Sequence, residues 1–197
     1  MKYGELTLGQ MEVIVNKLGG MDGVKRFLSG ELLVSAPTKV WKTWRTIKLG
    51  TGLKTADDFR KAIKQAGMKI GDWGNDILGK PAFTVANEET EVELINVSVA
   101  ELGFKDGATY KDICVRAREL GLELCPNEVG PQLRLQYADQ PKGEWLLVAM
   151  EAIAGSVGDL DVFGVGHVDD ARWLDGDRGF PGSVWNGYFR FLFLRRK

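Results

Sequence analysis

The stretch Trp145, Leu146, Leu147, Val148, Ala149 and Met150 limits more than any other how this chain folds. Six consecutive residues without a charged or amide side chain show neither the alternation of a half-exposed strand nor helical spacing. They read as a central β-strand buried on both faces. Such a strand needs other strands along its edges and further layers above and below. Several segments can supply them. Phe189, Phe191 and Phe193 alternate with Arg190, Leu192 and Leu194, which predicts a closing strand. Val162-Phe163-Gly164-Val165 and Arg172-Trp173-Leu174 read as short strands joined by a loop, with Phe163 assigned to the core. Residues 92–99 are rich in β-branched side chains, and Thr46-Ile47-Lys48-Leu49 reads as another strand. Leu32, Leu33 and Val34 suggest one more, broken by Pro37. Leu133, Leu135 and Tyr137 alternate with polar residues and favour a strand, with a short helix as the alternative.

Helix starts are marked by hydroxyl residues placed three positions before a carboxylate or amide. Thr7 with Gln10, Thr55 with Asp58 and Thr109 with Asp112 fit this pattern, in which the two side chains satisfy orphan backbone N–H groups. Leu8, Met11, Val15 and Leu18 follow the first, Phe59, Ile63 and Ala66 the second, and Ile113, Ala117 and Leu120 the third. Asp22 is expected to cap a short helix with Val24, Phe27 and Leu28, and a helical turn is expected around Trp73, Ile77 and Leu78. Residues 126–131 read as a loop. The expected class is α+β. A helical module with a small β element occupies 1–83, and a mixed α/β domain ending in a C-terminal strand occupies 84–197.

The chain has 197 residues, 44% hydrophobic and 27% charged, with a formal net charge of −1. That is ordinary for a folded protein and gives no global pull toward nucleic acid or membrane. No apolar run is long enough to span a bilayer, and the N-terminal residues lack the apolar stretch of a signal peptide, so the cytoplasm is the default compartment. Cys114 and Cys125 read as buried free thiols. His167 is the single histidine, and with no Cys-x-x-Cys pair no metal site is expected. No cofactor is expected either. Gly50-x-Gly52 and Gly164-x-Gly166 lack the context of a phosphate-binding loop.

The last quarter of the chain differs in composition from the rest. Glutamate occurs 13 times up to Glu151 and never afterwards, and residues 152–196 also lack Lys, Gln, Met and Thr. Yet six of the 14 aspartates fall between Asp159 and Asp177. Turn preference accounts for the Asp and Gly, but not for the missing Lys and Gln across several strands. Randomising the adenines of AAC codons produces Asp, Gly, His, Tyr, Ser, Val, Phe, Arg, Leu, Ala and Pro, and never Glu, Gln, Lys or Met. The absence of Thr is the one feature this leaves over.

The buried run 145–150, the Trp173-Leu174 pair, Pro181, Trp185-Asn186 and the closing aromatic strand together resemble the C-terminal part of variable proteins of diversity-generating retroelements. Leu8-Gly9-Gln10 and residues 23–28 also resemble the start of uncharacterised proteins from small, uncultured bacteria. The resemblance implies a C-type-lectin-like fold over about 84–197, with a variable region at about 155–190. It implies a non-enzymatic protein whose diversified C-terminal surface binds a macromolecular ligand, most simply another protein, with oligomerisation and surface display by another route left open. Calcium-dependent lectins carry sugar-binding motifs that this chain departs from: Gln140-Pro141 is followed by Lys142, and Trp185-Asn186 by Gly187. The candidate ligand-binding residues are Asp161, His167, Asp169, Asp170, Arg172, Asp175, Asp177, Arg178, Phe180, Val184, Asn186 and Tyr188. Trp173, Trp185, Phe191 and Phe193 would hold the scaffold beneath them.

Two other classes compete. An enzyme would use His167 as a base, oriented by Asp169 or Asp170, with further aspartates as acid–base partners. A nucleic-acid-binding protein would use Lys39, Lys42, Arg45, Lys48 and Lys54 interleaved with Trp41 and Trp44, in a stretch without any acid.

Overall fold

A capping box opens the first helix of this computed structural model, which describes residues 6–33 and 40–196. The contacts divide the chain into two units, one within 1–38 and the other within 39–197. In the first unit Thr7 Oγ1 accepts the Gln10 N–H at 3.3 Å and Gln10 Oε1 accepts the Thr7 N–H at 2.9 Å. The helix α1 (Leu8–Lys17) follows. Its partner α2 (Gly20–Leu28) starts after Gly19, so Asp22 lies in its first turn and not at its cap. A Cβ on Gly23 would sit 1.6 Å from the Leu18 carbonyl oxygen, so glycine lets α2 fold back against the end of α1. Leu32 and Leu33 form no strand, and Val34 and Pro37 lie outside the described residues.

The second unit runs, in chain order, β1 (Arg45–Leu49), α3 (Ala56–Gln65), β2 (Lys69–Ile70), α4 (Asp72–Leu78), β3 (Thr90–Ser98), β4 (Ala108–Thr109), α5 (Tyr110–Glu119), β5 (Leu122–Glu123), α6 (Val129–Gln136), β6 (Trp145–Val148), β7 (Ile153–Ala154), β8 (Leu160–Val168), β9 (Ala171–Arg178), β10 (Val184–Trp185) and β11 (Arg190–Arg195). Thr55 and Asp58 cap α3, and Thr109 accepts the Asp112 N–H at the start of α5, as the sequence predicts. One large mixed sheet has the order β1-β3-β11-β6-β8-β9-β2, with β5 added to β11 and β7 to β8. A separate ribbon pairs β4 with β10. The division suggested near residue 83 falls inside this unit, because β1 hydrogen-bonds to β3 across it.

The strand β6 lies between β11, to which it is parallel, and β8, to which it is antiparallel. Leu146, Leu147 and Val148 are fully buried, as an all-apolar strand in mid-sheet should be. Phe163, Trp185, Phe191 and Phe193 join the same core, whereas Trp173 is only half-buried.

The segment expected to favour a strand at 133–137 is instead the second half of α6 and its C-cap. This helix is buried through Val129, Gly130, Pro131, Gln132, Leu133 and Arg134, so no polar face is left to reveal its period. Pro131 is tolerated because the N–H groups of a first helical turn have no intrahelical partner. A Cβ on Gly130 would lie 2.5 Å from the Phe163 ring, which fixes how closely α6 approaches β8.

The tryptophans of the basic stretch fold inward, while Lys42, Lys48 and Lys54 stay exposed. Trp41 is 8% exposed and donates its indole N–H to the Leu120 carbonyl at 3.0 Å. Trp44 meets Tyr137 edge-on at 5.2 Å, Arg45 lies over the Tyr137 ring, and Lys48 pairs with Glu89. Lys39 lies outside the described residues. Cys114 and Cys125 are both buried free thiols. Among the described residues no helix is long and apolar enough to cross a membrane.

Candidate functional site

The hairpin of β8 and β9 carries most of the candidate residues. Its turn is Asp169-Asp170, with φ of 49° and 61°. Two-residue hairpins favour turns with positive φ at both central positions, because these match the strand twist. Aspartate tolerates that region better than most residues, so these two carboxylates shape the turn as well as being exposed there. Lys142 pairs with Asp170 from the side.

Beneath the turn, His167 and Arg172 face each other across the strands. The His167 ring donates from Nδ1 to the Gln140 carbonyl at 2.7 Å, so a backbone oxygen orients it, and not Asp169 or Asp170. The buried Gln140 side chain accepts from Arg134 Nη1 at 2.6 Å and donates to the Val165 carbonyl at 3.0 Å. Arg134 is fully buried and also donates to the Gly166 carbonyl at 3.0 Å and the Tyr137 carbonyl at 2.5 Å. Burial, and then the charge of Arg172, bring its pKa down to about 10. This guanidinium bound to carbonyls ties α6, the 137–140 loop and β8 into one frame under the hairpin.

The opposite face of the hairpin explains Gly164 and Gly166. The Trp145 indole lies on both. A Cβ on Gly166 would come within 2.0 Å of the ring and one on Gly164 within 2.6 Å. Cross-strand pairing puts Trp173 and Asp175 beside these glycines and Asp177 beside Val162 on that face. Lys69 places its amine 5.1 Å from the Trp173 ring. Burial raises the Asp177 carboxyl, opposed by the Arg178 N–H and the nearby Trp145 indole. Among the described residues no acceptor meets that indole N–H at hydrogen-bond geometry, so the Trp145 contact is an approach and not a bond.

Asp175 has a job inside the protein. Its Oδ1 accepts the Gly74 N–H at 3.0 Å and the Gly176 N–H at 2.8 Å, tying the start of α4 to β9. Gly71 leaves room for it, since a Cβ there would lie 2.1 Å from the carboxyl carbon.

Asp161 departs furthest from expectation. It is 3% exposed, so it lies under the surface and not on it. Burial, then the charges of Asp159, Asp177, Asp76 and Asp175, push its carboxyl up to about 6. Gly155 separates it from Asp76: a Cβ there would lie 3.0 Å from Asp76 Oδ2 and 3.4 Å from Asp161 Oδ2. Asp76 accepts from the Ser156 N–H and hydroxyl, both at 2.6 Å, and pairs with Lys80 at 3.0 Å. These hydrogen bonds hold its carboxyl down, to about 2. Asp76 and Ser156 carry no distinctive motif, and only the fold brings them to Asp161.

The remaining candidates lie at the end of β9 and beyond it. Arg178 places its guanidinium 5.2 Å from the ring of Trp185, which is 1% exposed and packs edge-on against Phe189 and Phe191. The backbone here is stapled to the start of α5: Lys111 N–H donates to the Pro181 carbonyl at 3.0 Å and Tyr110 N–H to the Ser183 carbonyl at 2.8 Å. Gly187 passes so close to Lys105 that a Cβ would lie 2.4 Å from its carbonyl oxygen. Between these anchors Phe180 is 59% exposed, Val184 58% and Tyr188 71%, and Asn186 is exposed as well. Tyr188 stacks on Phe189 at 4.6 Å.

The twelve candidates therefore do not form one spot. They extend from the Asp169-Asp170 turn along β9 to the 180–188 segment, and β9 alone spans roughly 25 Å at about 3.3 Å per residue. Asp169, Asp170, Arg178, Phe180, Val184, Asn186 and Tyr188 are exposed, while His167, Arg172, Asp175 and Asp177 are half-buried. Trp145 and Trp173 lie on the face of the hairpin that carries Asp175 and Asp177, opposite His167 and Arg172. Among the described residues no cluster of three or more His, Cys, Asp or Glu side chains is arranged to hold a metal ion. Comparison with family models, curated proteins and solved structures finds no match for this chain.

Proposed function

We propose that the second unit is a C-type-lectin-like binding domain of the kind used as variable proteins by diversity-generating retroelements. Its strip from 167 to 188 recognises a macromolecular ligand, most simply a protein, and the protein acts by binding and not by catalysis. One observation carries the reading. In the 180–188 segment, exposed Phe180, Val184, Asn186 and Tyr188 are interleaved with a buried anchor, Trp185, and with backbone stapled to α5. Large exposed apolar side chains presented from fixed backbone favour association, because little conformational entropy is lost on binding. β9 alone gives this strip roughly 25 Å of length, which suits the patch of about 800 Å² that a protein partner covers better than it suits a small ligand.

Sequencing the 3′ part of the gene across its source population tests this. Substitutions should concentrate in codons 155–190, match adenines of a nearby near-identical template, and fall on exposed positions such as 169, 170, 180, 186 and 188. Phe163, Val165, Leu174 and Trp185 should stay fixed. Variation spread evenly along the gene, or none, would overturn the reading.

A second reading rests on Asp161 and Asp76. Two carboxyls close to Gly155, one pushed up to about 6 and the other held down to about 2, are poised as an acid and a base. A turnover that disappears in a folded Asp161→Asn variant would favour it over recognition.

A further inference from the structure

A cleft of about 370 Å³ opens beside α5, toward Met150–Ala152 and Leu160. Its α5 wall carries Tyr110, Lys111, Cys114, Val115 and Arg118, the spacing of one helix face. The interior is apolar. The Tyr110 hydroxyl is committed to Met150, donating to its carbonyl at 2.6 Å and accepting its N–H at 3.0 Å, so the ring and not the hydroxyl faces the space. Burial pushes the Cys114 thiol up to about 11, so it stays protonated and behaves as a small apolar group. Val115 is 44% exposed, a large apolar side chain left open at the cleft.

The rim is cationic. Arg118 pairs with Glu151 at 3.2 Å, and the Glu151 side chain is 88% exposed. Lys111 lies two helical turns away, roughly 10 Å along the axis. Among the described residues no carboxylate pairs with it. An uncompensated amine at one end of an apolar trough complements a molecule with an anionic head and an apolar body. The volume falls at the lower end of the range for small-molecule sites, roughly 300–1,000 Å³, which suits a compact amphiphile.

We infer that this cleft binds a small amphipathic carboxylic acid, its chain against Val115 and Tyr110 and its carboxylate on Lys111. The site uses none of the strip's candidate side chains and does not depend on the recognition reading.

The test is a titration of the full-length, ¹⁵N-labelled protein with decanoate, followed by amide chemical shifts. Saturable shifts are expected along 110–118 and at 150–152. Lys111→Glu should weaken binding by at least about tenfold, the loss of one charge-assisted contact. Val115→Trp, which fills an exposed position, should abolish it with the fold intact. Decyltrimethylammonium, with the same chain and the opposite charge, should bind at least about tenfold more weakly than decanoate. Equal affinity for the two amphiphiles would overturn the inference. So would unchanged affinity in Lys111→Glu, or no saturable shifts along α5.

Discussion

The hairpin and the segment that follows it carry the candidate residues in opposite ways. In the hairpin, the polar side chains are already engaged: His167 with the Gln140 carbonyl, Asp175 with two backbone N–H groups, and Asp161 below the surface. In the 180–188 segment the backbone and Trp185 do the holding, and Phe180, Val184, Asn186 and Tyr188 are left to face solvent. Diversity is therefore cheap in the second region and costly in the first. Substitutions at the engaged hairpin residues Asp161, His167 and Asp175 should register mainly as changes in stability, and those at the exposed positions of the segment mainly as changes in affinity.

The comparison fails at once if Trp185 is dispensable. This ring is 1% exposed and packs against Phe189 and Phe191. Trp185→Ala removes a large buried side chain and should cost about 3–5 kcal/mol in urea unfolding. A loss below about 1 kcal/mol would mean that the segment is not anchored by its interior residues.

Asp161 gives the next largest effect, with the opposite sign. Its carboxyl titrates near 6 in the folded protein against an ordinary 3.8. Folding therefore favours the protonated form. The protein should gain stability as pH falls from 7.5 through 6 toward 4, and gain nothing more from this group below that. Two pH units correspond to at most about 3 kcal/mol, and Asp161→Asn should recover part of it at pH 7.5 while flattening the profile between pH 4 and 6. Asp76 works the other way: its lowered pKa supports the fold above its ordinary range and is lost as pH falls toward 2. Thermal unfolding across pH 2.5–8, with and without Asp161→Asn, separates the two.

These effects show what was legible in the sequence. Local chemistry was: three hydroxyl residues, each three positions before an amide or carboxylate, marked helix starts correctly. So was extreme composition, since an all-apolar run could hardly be other than an interior strand and proved to be β6. The elements set by distant partners were not. The helix α6 is buried all round, so Leu133, Leu135 and Tyr137 mimicked a strand's alternation. Pairing of β1 with β3 erased the boundary expected at 83. Gly164 and Gly166 looked like a weak phosphate-loop pattern and serve as the floor under Trp145. In the strip, the residue types and their segment were legible. Which of them would be buried was not, because the burial of Asp161 comes from its surroundings in the fold, with Gly155 beside its carboxyl and Asp76 nearby, and not from its local sequence.

Asp175→Ala should cost about 1–2 kcal/mol, through loss of a charged acceptor for the Gly74 and Gly176 N–H groups. The loss is offset in part by relief of Asp161, which Asp175 helps to push up. The double variant Asp161→Asn with Asp175→Ala measures that offset. It should cost more than the sum of the two separate changes, because the relief is counted in each single variant and is available only once.

The smallest stability effects belong to the residues with the greatest proposed role. Phe180 and Tyr188 are 59% and 71% exposed, and neither side chain holds the backbone around it. Phe180→Ser should change stability by no more than about 0.5 kcal/mol and Tyr188→Ser by no more than about 1 kcal/mol. Tyr188→Ser is the sharper case, because the ring stacks on Phe189, itself part of the Trp185 cluster, and that contact is worth at most about 1 kcal/mol at an exposed site. If both variants unfold like wild type, these side chains are free for recognition, and a ligand found by other means should lose affinity on their removal by about tenfold or more each. If either costs more than about 2 kcal/mol, the exposed rings are part of the scaffold. The contrast between hairpin and segment then disappears, and with it the argument that this segment is shaped for display.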